Sequence, residues 1–243
     1  FLDRFDVTDP AAPVALASIN IPGQIVHYEH ERGLLVTVED VREVLGSFAS
    51  YHACTAGYPE ATWEVDSAAL RANGYDYEHT RGTCVRWHRR LNSLSLEGES
   101  ARRVSQLELR TVEADGVVRS TGSIAVSNSR IFYQAQARSV ETGDFTAEIV
   151  ALGYGSDGHL TALGRVPSNT SYYGYSALVA RGDRAFVPSY GVMEVVESPD
   201  DAPPVVTEHE LRGWACDASS LEVVGDQAFC AGQEFGVQRI ALD

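Results

Sequence analysis

Short apolar runs alternate with polar positions along almost the whole chain, and Gly, Asp, Asn or Pro ends most of them. That pattern predicts many short strands and few helices. Four segments show it most clearly when set together: VHYEHERGLLV (26–36), SIAVSNSRIFY (123–133), ALVARGDRAFV (177–187) and SLEVVGDQAFC (220–230). Each reads as a strand, a tight polar turn and a second strand with two or three bulky apolar residues. The turns are expected at Glu31-Arg32, Asn128-Ser129, Gly182-Asp183 and Gly225-Asp226, since two-residue hairpin turns demand positive φ angles. One stretch departs from the alternation. VDSAALRANG (65–74) predicts a short helix, with Asp66 or Ser67 as N-cap and Gly74 past its end.

A second hairpin pattern follows the first in each unit, at 91–109, 147–166 and 191–211, and stands alone at 2–21. Asp157, Asp200 and Asp243 recur at equal intervals of 43 residues. A unit of 40–45 residues with four strands has the form of a β-propeller blade. The expected fold is therefore all-β, a β-propeller of four-stranded antiparallel blades with roughly four blade equivalents. Two stretches break the period, the longer an insertion over 47–90 and the shorter ARSVETGDFT (137–146). Insertions in repeat folds become loops on one face, often the binding face.

Composition narrows the partners. The formal charge is −15, and all 19 basic residues are Arg. Nucleic acid and anionic membranes are disfavoured, because phosphate binding needs concentrated positive charge. No apolar run reaches the roughly 18–20 residues of a membrane helix. Cys54, Cys84, Cys216 and Cys230 lack zinc-site spacing, and their even number points to disulfides and an oxidising compartment. Among the three possible pairings the sequential one, Cys54–Cys84 and Cys216–Cys230, closes the shorter loops and is expected.

Several stretches invite sharper readings. HYEHERG (27–33) carries two His and two Glu, yet it falls on the first hairpin of a unit, where a polar turn explains it without a metal. Arg181-Gly182-Asp183 likewise sits on a hairpin turn. The Asp-Gly pairs of EADGVV and GSDGHL lack the oxygen-ligand series of a calcium loop. No hydrolase, phosphate-loop or dinucleotide motif is present, so no cofactor is implied. The insertion gathers Tyr51, His52, Tyr58, Trp63, Tyr75, Tyr77, His79, Trp87 and His88. Amphipathic aromatics suit a binding surface. They equally suit the core of a small subdomain poor in Leu and Ile. SNTSYYGY (168–175) forms a second aromatic patch with a formal glycosylation sequon at Asn169.

The segment FDVTDPAAPVALASINIPGQIVHYEHERGLLVTVED (5–40) resembles bacterial secreted proteins with a C-terminal β-propeller domain of Asp-Val-Ser/Thr-Asp-Pro repeats. Asp6, Thr8, Asp9, Pro10, Pro13, Ile21, Pro22, Gly23 and His27 carry the resemblance. It implies export and a folded scaffold, and it brings no catalytic residues. The disulfide-bearing insertion departs from that pattern. The resulting expectation is an extracellular, cell-surface or periplasmic scaffold for protein binding or assembly. The rival is a hydrolase or lyase with a site in the propeller channel, using His27. Positions aligned with His27 are Ile124 or Ala125, Leu178 and Leu221, which supply no converging polar groups. Both ends of the chain read as the third strand of a unit. Residues 1–243 are therefore expected to be the C-terminal part of a larger propeller, with further blades from another segment or subunit.

Overall fold

The computed structural model describes all residues except 110, 113–116, 128, 140–143, 170–177, 190, 201, 213–219, 233–235 and 243. The chain is all-β apart from two short helices, and every strand pairing is antiparallel. Five sheets follow one another in chain order.

Sheet 1 is the pair β1 (Leu2–Asp6) and β2 (Val14–Ile19). Sheet 2 runs through β3 (Gln24–Glu29), β4 (Leu34–Phe48), β6 (Gly82–Glu97) and β7 (Ser100–Glu108), with a short β5 (Thr62–Glu64) beside β6. Sheet 3 adds a two-residue edge, β8 (Thr111–Val112), to β9 (Val117–Val126), β10 (Arg130–Ser139), β11 (Phe145–Tyr154) and β12 (Leu160–Ser168). Sheet 4 comprises β13 (Val179–Arg181), β14 (Arg184–Ser189), β15 (Val192–Glu197) and β16 (Val205–Glu210). Sheet 5 has three strands, β17 (Leu221–Val224), β18 (Gln227–Gly232) and β19 (Gly236–Ala241).

Apolar layers glue each sheet to the next. Ile19 and Ile21 beside sheet 1 meet Leu35 and Leu94 of sheet 2. On the opposite face, Leu34, Val36 and Leu91 meet Ile131, Tyr133 and Leu152 of sheet 3. Phe132 and Ile149 then meet Ala185 and Val187 of sheet 4, and Phe186 and Val195 meet Ala228 and Cys230 of sheet 5. Successive residues of each second strand thus point to opposite neighbours, as strand geometry requires. First strands neighbour first strands (β3, β9, β13), and fourth strands neighbour fourth strands (β7, β12, β16).

Arginines at the first hairpin turns also cross between sheets. Arg32 donates to the Gly155 carbonyl at 3.1 Å and lies over the Tyr154 ring. Arg130 repeats the arrangement one sheet on, donating to the Ser198 carbonyl at 3.0 Å and pairing with Asp200.

Two turns match the sequence reading. Gly182-Asp183 and Gly225-Asp226 are two-residue turns, with φ of 59° at Gly182 and 56° at Gly225. The turn expected at Glu31-Arg32 differs: it spans 30–33, and Gly33 takes the positive φ of 61°. Gly is the residue that adopts that backbone without a Cβ clash. Asn128 lies outside the described residues.

Candidate functional site

The insertion is not a loop laid over the scaffold. Residues 47–48 and 82–90, which the sequence placed inside it, are strand, and β4 stays paired with β6 from Leu34↔Ser95 out to Phe48↔Gly82. Burial explains where the ribbon leaves the stack. Leu34 to Val38 are buried, and from Glu39 onward no residue of β4 is fully buried. The result is a two-stranded arm with a small subdomain at its tip.

Charged pairs tie the arm's strands. Glu43 contacts His88 at 3.0 Å and Arg86 at 3.3 Å, Arg86 also pairs with Glu60, and Arg42 pairs with Glu64 at 2.6 Å. Hydrogen bonding to His88, with Arg86 nearby, holds the Glu43 carboxyl below its ordinary range. His88 also approaches Glu108 at 3.6 Å. Trp87 lies opposite Arg42 in the ladder. Both aromatics are half-buried on the arm itself, away from the tip.

At the tip, α1 (Tyr51–Gly57) packs on β4 and β6, and the short α2 (Ser67–Ala72), with no buried residue, follows β5 in the chain. Asp66 is the N-cap of α2, accepting from the amides of Ala68 and Ala69 at 2.8 and 3.0 Å, and Gly74 follows with φ 64°. Helix α1 has no counterpart in the sequence reading, although Ser50 caps it by accepting from Ala53 N. Cys54 of α1 and Cys84 of β6 are joined by a disulfide, as their spacing led one to expect. Both are fully buried, with Trp63 at 4% exposure and with Phe48, Tyr51 and Tyr58 packed around them. Cys230 is buried and is not a free thiol, while its expected partner Cys216 lies outside the described residues.

The nine aromatic and His candidates therefore separate. Trp63, Tyr58 and Tyr51 build the tip's core, and the Trp63 indole donates to the Tyr77 carbonyl at 3.2 Å. Tyr75, Tyr77, His52 and His79 face solvent, with Tyr75 70% exposed. Tyr75 is also the one described non-glycine residue with positive φ, at 64°. The Tyr77 hydroxyl donates to the Trp63 carbonyl at 2.5 Å, and partial burial raises its pKa, with Tyr51 and Glu64 adding to the shift. His79 sits 3.0 Å from Asp76 and His52 3.5 Å from Glu78, with the two His rings 6.3 Å apart. Hydrogen bonds from His79 lower the Asp76 pKa. The exposed surface thus sets rings beside carboxylates. Asp76 and Glu78 escaped sequence reasoning, for nothing in the spacing showed that they would meet the two His.

On the edge strand β3, His27 lies half-buried opposite Val36. Burial lowers its pKa below 6.5, against an opposing pull from Glu29. His30 and Glu31 occupy a hairpin turn, and in the Arg181-Gly182-Asp183 triplet Arg181 ends β13 while Gly182 and Asp183 form the turn. The Gly182 carbonyl accepts from Ser127 Oγ at 2.5 Å, so this turn is engaged by the neighbouring sheet. Among the described residues, no three His, Cys, Asp or Glu side chains gather to hold a metal ion. No described helix is long and apolar enough to cross a membrane. Of the patch at 168–175, Asn169 donates to Glu208 and its amide to Glu194, both at 2.5 Å, and 170–175 lie outside the described residues.

The chain matches no protein-family model and no curated protein.

Proposed function

We propose that this chain is an exported scaffold of β-propeller type that holds a disulfide-stapled tip out on an arm to bind a protein partner. Four features support the propeller reading: four-strand repeats, first strands beside first strands, apolar layers between successive sheets, and the inter-sheet arginines Arg32 and Arg130. Export rests on the disulfide, because such bonds persist in oxidising compartments.

The observation that carries the binding role is the continuous β4–β6 ladder. It spends nine paired positions, about 26 Å at 3.3 Å per residue and with one bulge between Val44 and Gly46, on carrying one small subdomain away from the core. Such an extension adds little to the stability of the stack, since its β4 residues past Val38 are exposed or half-buried and Leu45 and Phe48 pack on the tip rather than on the stack. What it gains is the placement of Tyr75, Tyr77, His52 and His79 on a rigid support.

The test follows from the register. Phe48 and Gly82 are cross-strand partners, so residues 49–81 can be replaced by a two-residue Asn-Gly turn. The shortened chain is expected to keep the melting transition of the stack and to lose the partners that the intact chain retains. Retention of every partner by the shortened chain would sink the reading.

A further inference from the structure

Twice on this chain an arginine is seated against an aromatic ring and a carboxylate together. The Arg32 guanidinium lies 5.3 Å from the centre of the Tyr154 ring and pairs with Glu29. The Arg86 guanidinium lies 6.0 Å from the centre of the Tyr58 ring and pairs with Glu60. A planar guanidinium serves both partners at once, since its face meets the ring while its edge donates to the carboxylate.

The tip presents the same two components without an arginine. Residues 49–81 hold five carboxylates, and three of them are engaged. Glu60 pairs with Arg86, Glu64 pairs with Arg42, and Asp66 caps α2. Asp76 and Glu78 remain exposed, and their ion-pair partners are His79 and His52. Among the described residues no arginine comes within ion-pair distance of either, and none lies over Tyr75 or Tyr77. Both rings are exposed, and they flank Asp76 in the chain.

The backbone beneath these side chains is tied down. The Tyr75 amide donates to the Leu70 carbonyl at 2.8 Å, and the Tyr51 amide to the Glu78 carbonyl at 2.9 Å. Asn73 Nδ2 donates to Thr80 Oγ1 at 2.9 Å. With the Tyr77 hydroxyl bound to the Trp63 carbonyl, residues 73–80 are anchored to α1, α2 and β5. A surface ordered before contact loses less entropy on binding.

We infer that the tip takes an arginine from a basic segment of a protein partner, seated on the Tyr75 and Tyr77 rings and paired with Asp76 and Glu78. Arginine recognition rests on the reading of the tip as a binding element, and it adds the chemistry of the partner. The net charge of −15 draws basic segments toward the chain as a whole. The rings then favour arginine over lysine, whose compact ammonium has no face to lay on them.

Fluorescence anisotropy with a labelled peptide of alternating Gly and Arg tests it, at about 0.15 M salt to screen long-range attraction. The intact chain should bind the peptide about tenfold more tightly than the chain with 49–81 replaced by Asn-Gly. Asp76→Asn with Glu78→Gln should weaken binding about fivefold. Tyr75→Asn, which keeps a residue tolerant of positive φ, should weaken it about threefold. Glu99→Gln with Glu222→Gln removes the same charge from exposed positions on the stack and should leave binding unchanged. The matching Gly and Lys peptide should bind more weakly. Circular dichroism establishes that each variant is folded. Equal binding by the intact and shortened chains, equal losses from the two charge-removing pairs, or equal affinity for the two peptides overturns the inference. A shortened chain that loses its partners, beside an intact tip that shows no preference for the Arg peptide, refutes arginine recognition while leaving the tip its binding role.

Discussion

The sheet stack and the tip of the arm solve the same packing problem by different means. In the stack, side chains such as Phe132, Phe186, Ile131 and Met193 lie in layers shared by two sheets, and each layer supports its neighbours. The tip has no second sheet to lean on. Its core is one disulfide, one indole and a ring of half-buried aromatics. Apolar layers shared between sheets stabilise the first region, and a covalent staple substitutes for them in the second. The difference shows that a region too small to bury much apolar surface needs a crosslink where a larger one does not.

The sharpest way to break this comparison is to cut a hole in a layer. Phe132→Ala should destabilise global unfolding by about 3–5 kcal/mol, with the tip disulfide unaffected. Denaturant melts followed by far-UV circular dichroism check it, and a loss confined to the tip would contradict the picture of shared layers. Next in size is the staple. Cys54→Ala with Cys84→Ala should cost about 2–4 kcal/mol of local stability. Amide exchange should speed up at α1, α2 and β5 and stay unchanged in sheets 3 and 4. Equal acceleration throughout would mean that arm and stack form one cooperative unit.

The smallest expected effect concerns His27. Burial depresses its folded pKa below the ordinary 6.5, so the unfolded chain takes up the proton first as pH falls. Its contribution to stability is therefore complete above pH 6.5 and is lost on descending through the lower, folded value. His27→Gln should flatten the slope of melting temperature against pH in that window, leaving the slope from the carboxylates. An unchanged slope would place the acid sensitivity elsewhere.

What the sequence disclosed follows the same division. Strands of the stack were legible because short apolar runs, buried on both faces in β10, β14 and β15, end at turns, and because Gly182 and Gly225 mark turns that need positive φ. The α2 caps were legible because Asp66 and Gly74 act locally. The arm was not. Between Glu39 and Val44 both faces of the ribbon meet water, so apolar and polar residues do not sort into two faces there. Hydrophobic patterning reports a contrast in burial, and a ribbon outside the core has none. Helix α1 escaped for a related reason, since Cys54 is its one buried residue and a single residue has no period. Composition alone could not tell Trp63, sunk in the tip, from Tyr75, standing out of it. Pairs such as Glu43 with Arg86 join residues that only the long hairpin brings together.

The β4–β6 ribbon also acts as a ruler with fixed graduations. Each strand residue adds about 3.3 Å and turns the next side chain to the opposite face. Inserting two residues into each strand would therefore lengthen the reach by about 7 Å and return the tip in its original orientation. Inserting one in each would present the tip rolled over, with His52 and Tyr75 directed to the other side. Insertions in even steps thus change how far the tip stands out while keeping the way it faces.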